Sequence, residues 1–169
     1  MICVLIDMRS FSNLWYWIAL AVLWSTSSHW VMGIPYDMIT RGRKNVGTAM
    51  DDLNAIARIN SSRLLYISRN AGIWIIGFTS FLLTTLIILG FFQRVEFAQA
   101  VFLLLAPMVL VSFLSLRTAF AIEQKGLEGE ALIARLTRLR MSVQFIGMIA
   151  IFVTSLFGMY QNMNAGGWG

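Results

Sequence analysis

Four stretches of this chain run for about 20 residues or more without an Asp, Glu, Lys or Arg: residues 11–34, 72–92, 97–116 and 141–160. About 20 apolar residues in a helix cross the roughly 30 Å hydrocarbon core of a bilayer. The composition agrees with that use. Charged residues make up 12 % of the chain, half the roughly 25 % of a soluble domain, and the mean hydropathy is +0.72. Much of the folded surface must therefore avoid water. The chain has 169 residues and no proline-, serine- or acid-rich linker. The expectation is one all-α membrane domain over 1–169, with four transmembrane helices and helical cytoplasmic extensions. Pro35 should stop the first span, and Pro107 should free a carbonyl and kink the third. The alternative is that one of the four is a re-entrant or buried core helix.

The charges set the orientation. Arg41, Arg43, Lys44, Arg58, Arg63 and Arg69 lie between the first two spans. Arg117, Lys125, Arg135, Arg138 and Arg140 lie between the last two. Arg9 and Arg94 fall on the other side. Positive residues near span ends stay in the cytoplasm. Segments 35–71 and 117–140 are thus expected in the cytoplasm, with both termini on the outer side of the membrane. Cys3 is the only cysteine, which excludes an internal disulfide and a Cys-rich metal site. The first residues lack the basic segment and small-residue site of a cleavable signal.

The cytoplasmic segments are patterned. Met50, Leu53, Ala57, Leu64 and Ile67 keep a helical spacing ahead of span two, and Leu132, Ile133, Leu136 and Leu139 do so ahead of span four. Asp51 and Asp52 open the first of these, and arginines follow, which suits the helix dipole. Gly126 and Gly129 break the pattern between span three and the second helix. Either these helices run past the membrane into the cytoplasm, or they lie on its anionic surface. The strings "AIARIN" (55–60) and "LIARLT" (132–137) hint at a repeat.

Three features bear on function. "WSTSSHW" (24–30) puts three serines, a threonine and the only histidine inside an apolar span. At 100° per residue, Ser25, Ser28, His29 and Met32 share a helix face, while Trp24 and Trp30, with Trp15 and Trp17, read as two aromatic belts. His29 is either a haem ligand or proton relay, or a neutral histidine hydrogen-bonded within a packing contact. Packing is the favoured reading. In span four, Gly147, Ala150, Thr154 and Gly158 line one side, for close approach of another helix of this chain or of a partner. The cluster Arg41, Arg43 and Lys44 is topogenic charge beside anionic lipid, or a site for a phosphate or a cytoplasmic protein partner. It lacks the Gly-x-x-x-x-Gly-Lys form of a nucleotide loop.

Residues 6–44, "IDMRSFSNLWYWIALAVLWSTSSHWVMGIPYDMITRGRK", resemble small multi-spanning membrane proteins of photosynthetic and related alphaproteobacteria that carry the label "component of SufBCD complex". The resemblance implies a link to iron–sulfur assembly and brings no catalytic residues with it. One cysteine offers no cluster site of its own.

The expected function is therefore a non-enzymatic membrane subunit that scaffolds or helps assemble a larger inner-membrane complex. No span holds the acidic residue usual in proton-coupled transport. One alternative is a haem- or quinone-associated redox protein using His29; outside that alternative no cofactor is expected. Another is a small channel or transporter. Expected partners are the lipid bilayer and other membrane subunits or copies of this chain, and not nucleic acid.

Overall fold

The computed structural model describes residues 14–31, 33–44 and 47–166. The described chain is all-α apart from one small antiparallel bridge. Helix α1 spans Leu14–His29. Strands β1 (Trp30–Val31) and β2 (Ile34–Pro35) follow, paired Trp30 to Pro35 and Val31 to Ile34. Helix α2 spans Tyr36–Arg43, α3 Ala49–Ile87, α4 Glu96–Lys125 and α5 Gly129–Gly166. A π-helical turn, Ile88–Phe92, extends α3.

Among the described residues, three helices are long and apolar enough to cross a membrane: α3 with its π-turn, α4 and α5. The segment ahead of span two and span two itself are one helix, as are the segment ahead of span four and span four. Helix α3 with its π-turn has 44 residues, about 66 Å at 1.5 Å per residue. That is twice a bilayer core, so one half of it needs surroundings other than lipid. Helix α4 runs unbroken through Pro107.

The first helix is shorter than the apolar run that contains it. It has 16 residues, and the chain leaves it before Ile34, where the sequence placed the end. The cause is local. Pro35 disfavours helical geometry at Ile34, and Gly33 takes φ +74°, a left-handed value open to glycine. The chain turns back on itself there, and Ile34 becomes fully buried. Residues 11–13 lie outside the described part.

The helices alternate in direction. Tyr16 donates a hydrogen bond to the carbonyl of Ala100 (3.1 Å), and Gln161 donates one to Gln99 (2.9 Å). The start of α1, the start of α4 and the end of α5 thus share one end of the molecule. Arg94 lies at that far end, in the turn before α4. The other described Lys and Arg gather at the opposite, basic end. Helix α1 runs parallel to α4 and antiparallel to α5, and α3 packs along α4.

Two cores hold this arrangement. At the basic end, Ile34, Ile39, Leu53, Ala57, Ile122, Leu132, Ile133 and Leu136 form one buried cluster. It joins β2, α2, α3, α4 and α5. The α5 stripe expected from sequence is buried throughout. The α3 stripe is not: Leu53 and Ala57 enter the core, but the buried face continues through Ser61 and Leu65, leaving Ile67 exposed. The two repeat strings differ in the same way. Ala57 is buried and its counterpart Ala134 is exposed, so they do not occupy equivalent sites. Gly126, at φ +55°, closes α4, and the Gly129 amide donates to Asn54 Oδ1 (3.0 Å), tying the start of α5 to α3. Arg140 stacks on the ring of Tyr36, 3.6 Å from its centre.

The second core is Leu20, Trp24, Leu139, Val143 and Ala150, with Leu104, Met108, Val111 and Leu114 of α4 against it. It seats α1 between α4 and α5.

Leu136 is fully buried and Phe78 is 68 % exposed. Leu136→Ala should cost about 2–5 kcal/mol, the range for emptying a packed core site. Phe78→Ala should cost less than about 1 kcal/mol, as a substitution away from any packed site. Denaturation of the purified protein in mild detergent, followed by circular dichroism, checks the difference.

Candidate functional site

Helix α1 ends where the apolar and charged halves of α3 and α4 meet. Its last turns carry Ser25, Thr26 and Ser27. Ser25 and Thr26 are exposed, and Ser27 is half-buried. The Ser27 hydroxyl faces the thioether of Met108 at 3.8 Å, a weak acceptor. Beyond it opens a groove of about 450 Å³ between the end of α1, α3 and α4. Asn60 and Arg63 of α3 and Ser112 and Ser115 of α4 form its polar wall. Leu64, Ile67, Met108 and Val111 form its apolar wall. The turn at Gly33 caps it, and a methyl group there would sit 3.3 Å from the Asn60 amide nitrogen.

The local sequence explains this mixture. Arg69 is the last charge of α3 before its apolar half, and Arg117 is the first after the apolar half of α4. Groove residues come from both sides of that border. Ser112 turns its proton onto the Met108 carbonyl (2.9 Å), the self-satisfaction usual for serine in a helix. Its oxygen can still accept. Arg63 is exposed. The ion pairs among the described residues join Arg41 to Asp37 (2.6 Å) and Arg69 to Glu123 (3.0 Å), and neither involves Arg63.

The residues singled out by sequence divide into three groups. On α1, Ser25 is exposed. The side chains of Ser28 and His29, and all of Met32, lie outside the described part. On α5, Gly147, Ala150, Thr154 and Gly158 are all buried within the chain. Gly147 is where Trp24 lands: a Cβ there would meet the indole at 2.9 Å. Thr154 donates to the Ala150 carbonyl (2.6 Å). In the basic cluster, Arg41 pairs with Asp37, Arg43 donates to Thr137 Oγ1 (3.1 Å) and Lys44 is exposed.

Trp24 corrects the belt reading. It is 5 % exposed, so it is a core residue and not a lipid-facing anchor. The glycine opposite explains this, because only Gly147 leaves room for the ring. The indole N–H is buried without a hydrogen-bond partner, a penalty that the ring's packing must offset.

A second polar contact went unnoticed in the sequence. Gln99, 4 % exposed, donates to the Gly90 carbonyl at 2.6 Å and accepts from Gln161 at 2.9 Å. The π-helical turn carries Gly90, and a Cβ on it would meet Gln99 at 3.0 Å. The available signal was a glutamine in the first turn of a span, three residues after its acidic start at Glu96, facing a glycine in the preceding span. No group of three or more His, Cys, Asp or Glu side chains comes together among the described residues.

Comparison with protein families, curated proteins and solved structures finds no match to this chain.

The Trp24–Gly147 contact makes a direct test of the packing. Gly147→Leu should destabilise the fold by about 1–3 kcal/mol, the usual cost of overfilling a packed site. Trp24→Ala in the same chain should recover part of that loss. Thermal unfolding in detergent of both single variants and the double variant gives the coupling. Additive effects would show that the two residues do not compete for one space.

Proposed function

We propose that this chain is a non-enzymatic integral membrane subunit that scaffolds or helps assemble a larger complex of a bacterial inner membrane. The supporting observation is the uneven burial of its helices. The basic-end core is closed, with Leu53, Leu132 and Leu136 at zero exposure. In the apolar half of α3, by contrast, 6 % of the most apolar stretch is buried, against 17 % in α4 and 28 % in α5. That half of α3 leaves Ile73, Trp74, Phe78 and Phe81 exposed. Lipid can cover such a face. So can a helix of another subunit or of a second copy, and α3 would carry that contact directly into the basic end.

In this reading α1 is the fourth span, the basic end faces the cytoplasm and both termini are periplasmic. Alkaline-phosphatase fusions after Gly169 should be active, and fusions near Arg43 and Gly126 inactive. An active fusion near Arg43 would overturn the orientation. For the scaffold role, the protein extracted in mild detergent should migrate as part of a larger assembly. Replacing Ile73, Trp74 and Phe78 together by Leu keeps the segment apolar but changes its shape. That variant should still insert and should lose the assembly. Wild-type protein that stays monomeric at native levels would sink the proposal.

One observation favours the second reading, a haem- or quinone-associated protein using His29. Met108, with a thioether able to act as a second haem ligand, borders the groove at the end of α1. An absorption spectrum decides. A Soret band abolished in His29→Ala would establish haem. Under the scaffold reading the band is absent, and His29→Gln leaves level, insertion and partners unchanged.

A further inference from the structure

We infer that the groove at the end of α1 binds the phosphate of an anionic phospholipid, with the upper acyl methylenes against its apolar wall. The assignment rests on the membrane placement proposed above. Given that placement, the groove lies at the depth where head groups meet hydrocarbon. Arg63 is six residues on the charged side of the Arg69 border, about 9 Å along the helix. Ser115 is two residues on the apolar side of Arg117, about 3 Å.

The chemistry of the walls selects the ligand. Arg63 is a planar, permanently charged fork that matches a phosphate's oxygens, and neither ion pair of the described residues engages it. The Ser115 hydroxyl and the weakly engaged Ser27 hydroxyl supply further donors. Leu64, Ile67 and Val111 stand beside them. A free phosphate would use the first set and gain nothing from the second. An acyl chain alone would desolvate Arg63 without compensation. A ligand with both parts satisfies both walls. About 450 Å³ admits a head group, and the chains continue into the bilayer.

The test uses the whole protein, delipidated in a neutral mild detergent and titrated with phosphatidylglycerol, phosphatidylcholine or inorganic phosphate. Binding is read by native mass spectrometry and by thermal shift. Phosphatidylglycerol should bind and stabilise, and Arg63→Gln should weaken it about tenfold, the effect of losing one charge-assisted contact. Ser115→Leu keeps the charge but fills the groove and should also weaken binding. Arg138→Gln removes the same charge outside the groove and should change binding by less than about twofold. Helical circular dichroism confirms that each variant is folded. Equal losses in Arg63→Gln and Arg138→Gln would overturn the site in favour of diffuse attraction to the basic end. Equal binding of phosphatidylcholine, or of inorganic phosphate alone, would overturn the ligand. Failure of the membrane placement is distinguishable, because wild-type protein would then appear in the soluble fraction before any lipid is added.

Discussion

Apolar side chains gain little by packing together in lipid, because acyl chains are as apolar as they are. Where these helices leave the hydrocarbon, the same residues do gain, at roughly 25 cal/mol per Å² removed from water. In the proposed membrane setting, the basic-end core is therefore the strongest organiser of the chain. Helices α3, α4 and α5 each reach it and each continue unbroken into their apolar halves. Fixing the rotation of Leu53, Ile122 and Leu136 in that core fixes the direction each helix presents further along. Within the apolar halves, specificity then rests on a few close contacts, such as Trp24 over Gly147 and Gln99 against Gly90. These are shape and hydrogen-bond constraints, the kinds that survive when burial itself is worth little.

The all-helical plan and three membrane-length helices were legible in the sequence because long uncharged apolar runs permit few other structures. The α5 stripe was legible for a related reason. Leu132, Ile133, Leu136 and Leu139 have polar neighbours, so their period stands out. On α3 the same spacing favours Leu64 and Ile67, but the buried face advances in steps of four through Ser61 and Leu65. Hydrophobicity ranks leucine above serine. Close approach of two helices reverses that ranking, because a small residue lets the backbones meet. Trp24 failed for a similar reason. A tryptophan at a span edge fits a belt, and only its partner 123 positions away, Gly147, makes it a core residue. No local pattern carries that pairing.

The end of α1 shows how a short local signal can outweigh a long one. The apolar run continues to Ile34, and composition alone extends the helix with it. Pro35 and Gly33 instead fold the chain back, bury Ile34 in the basic-end core and place Asn60 beneath the turn. The serine-rich string then has a physical setting. Its exposed members, Ser25 and Thr26, and its half-buried member, Ser27, sit where α1 stops and a polar-walled groove begins. Tolerance for hydroxyl groups there follows from position near the border of charged and apolar segments.

That groove and the exposed apolar face share one helix. Asn60 and Arg63 stand on α3, and Ile73, Trp74 and Phe78 follow on the same continuous helix. From Arg63 to Ile73 is ten residues, about 15 Å. A ligand bridging Arg63 and Ser115 would add a tie between α3 and α4 to those that the buried Ser61 and Leu65 and the Arg69–Glu123 ion pair already make around that level. Beyond Arg69 the helix is less restrained, since 6 % of its most apolar stretch is buried. Under the proposed reading, lipid in the groove would set the angle at which the exposed face meets a partner helix. Assembly of the complex would then depend on the anionic lipid content of the membrane, through the position of one helix.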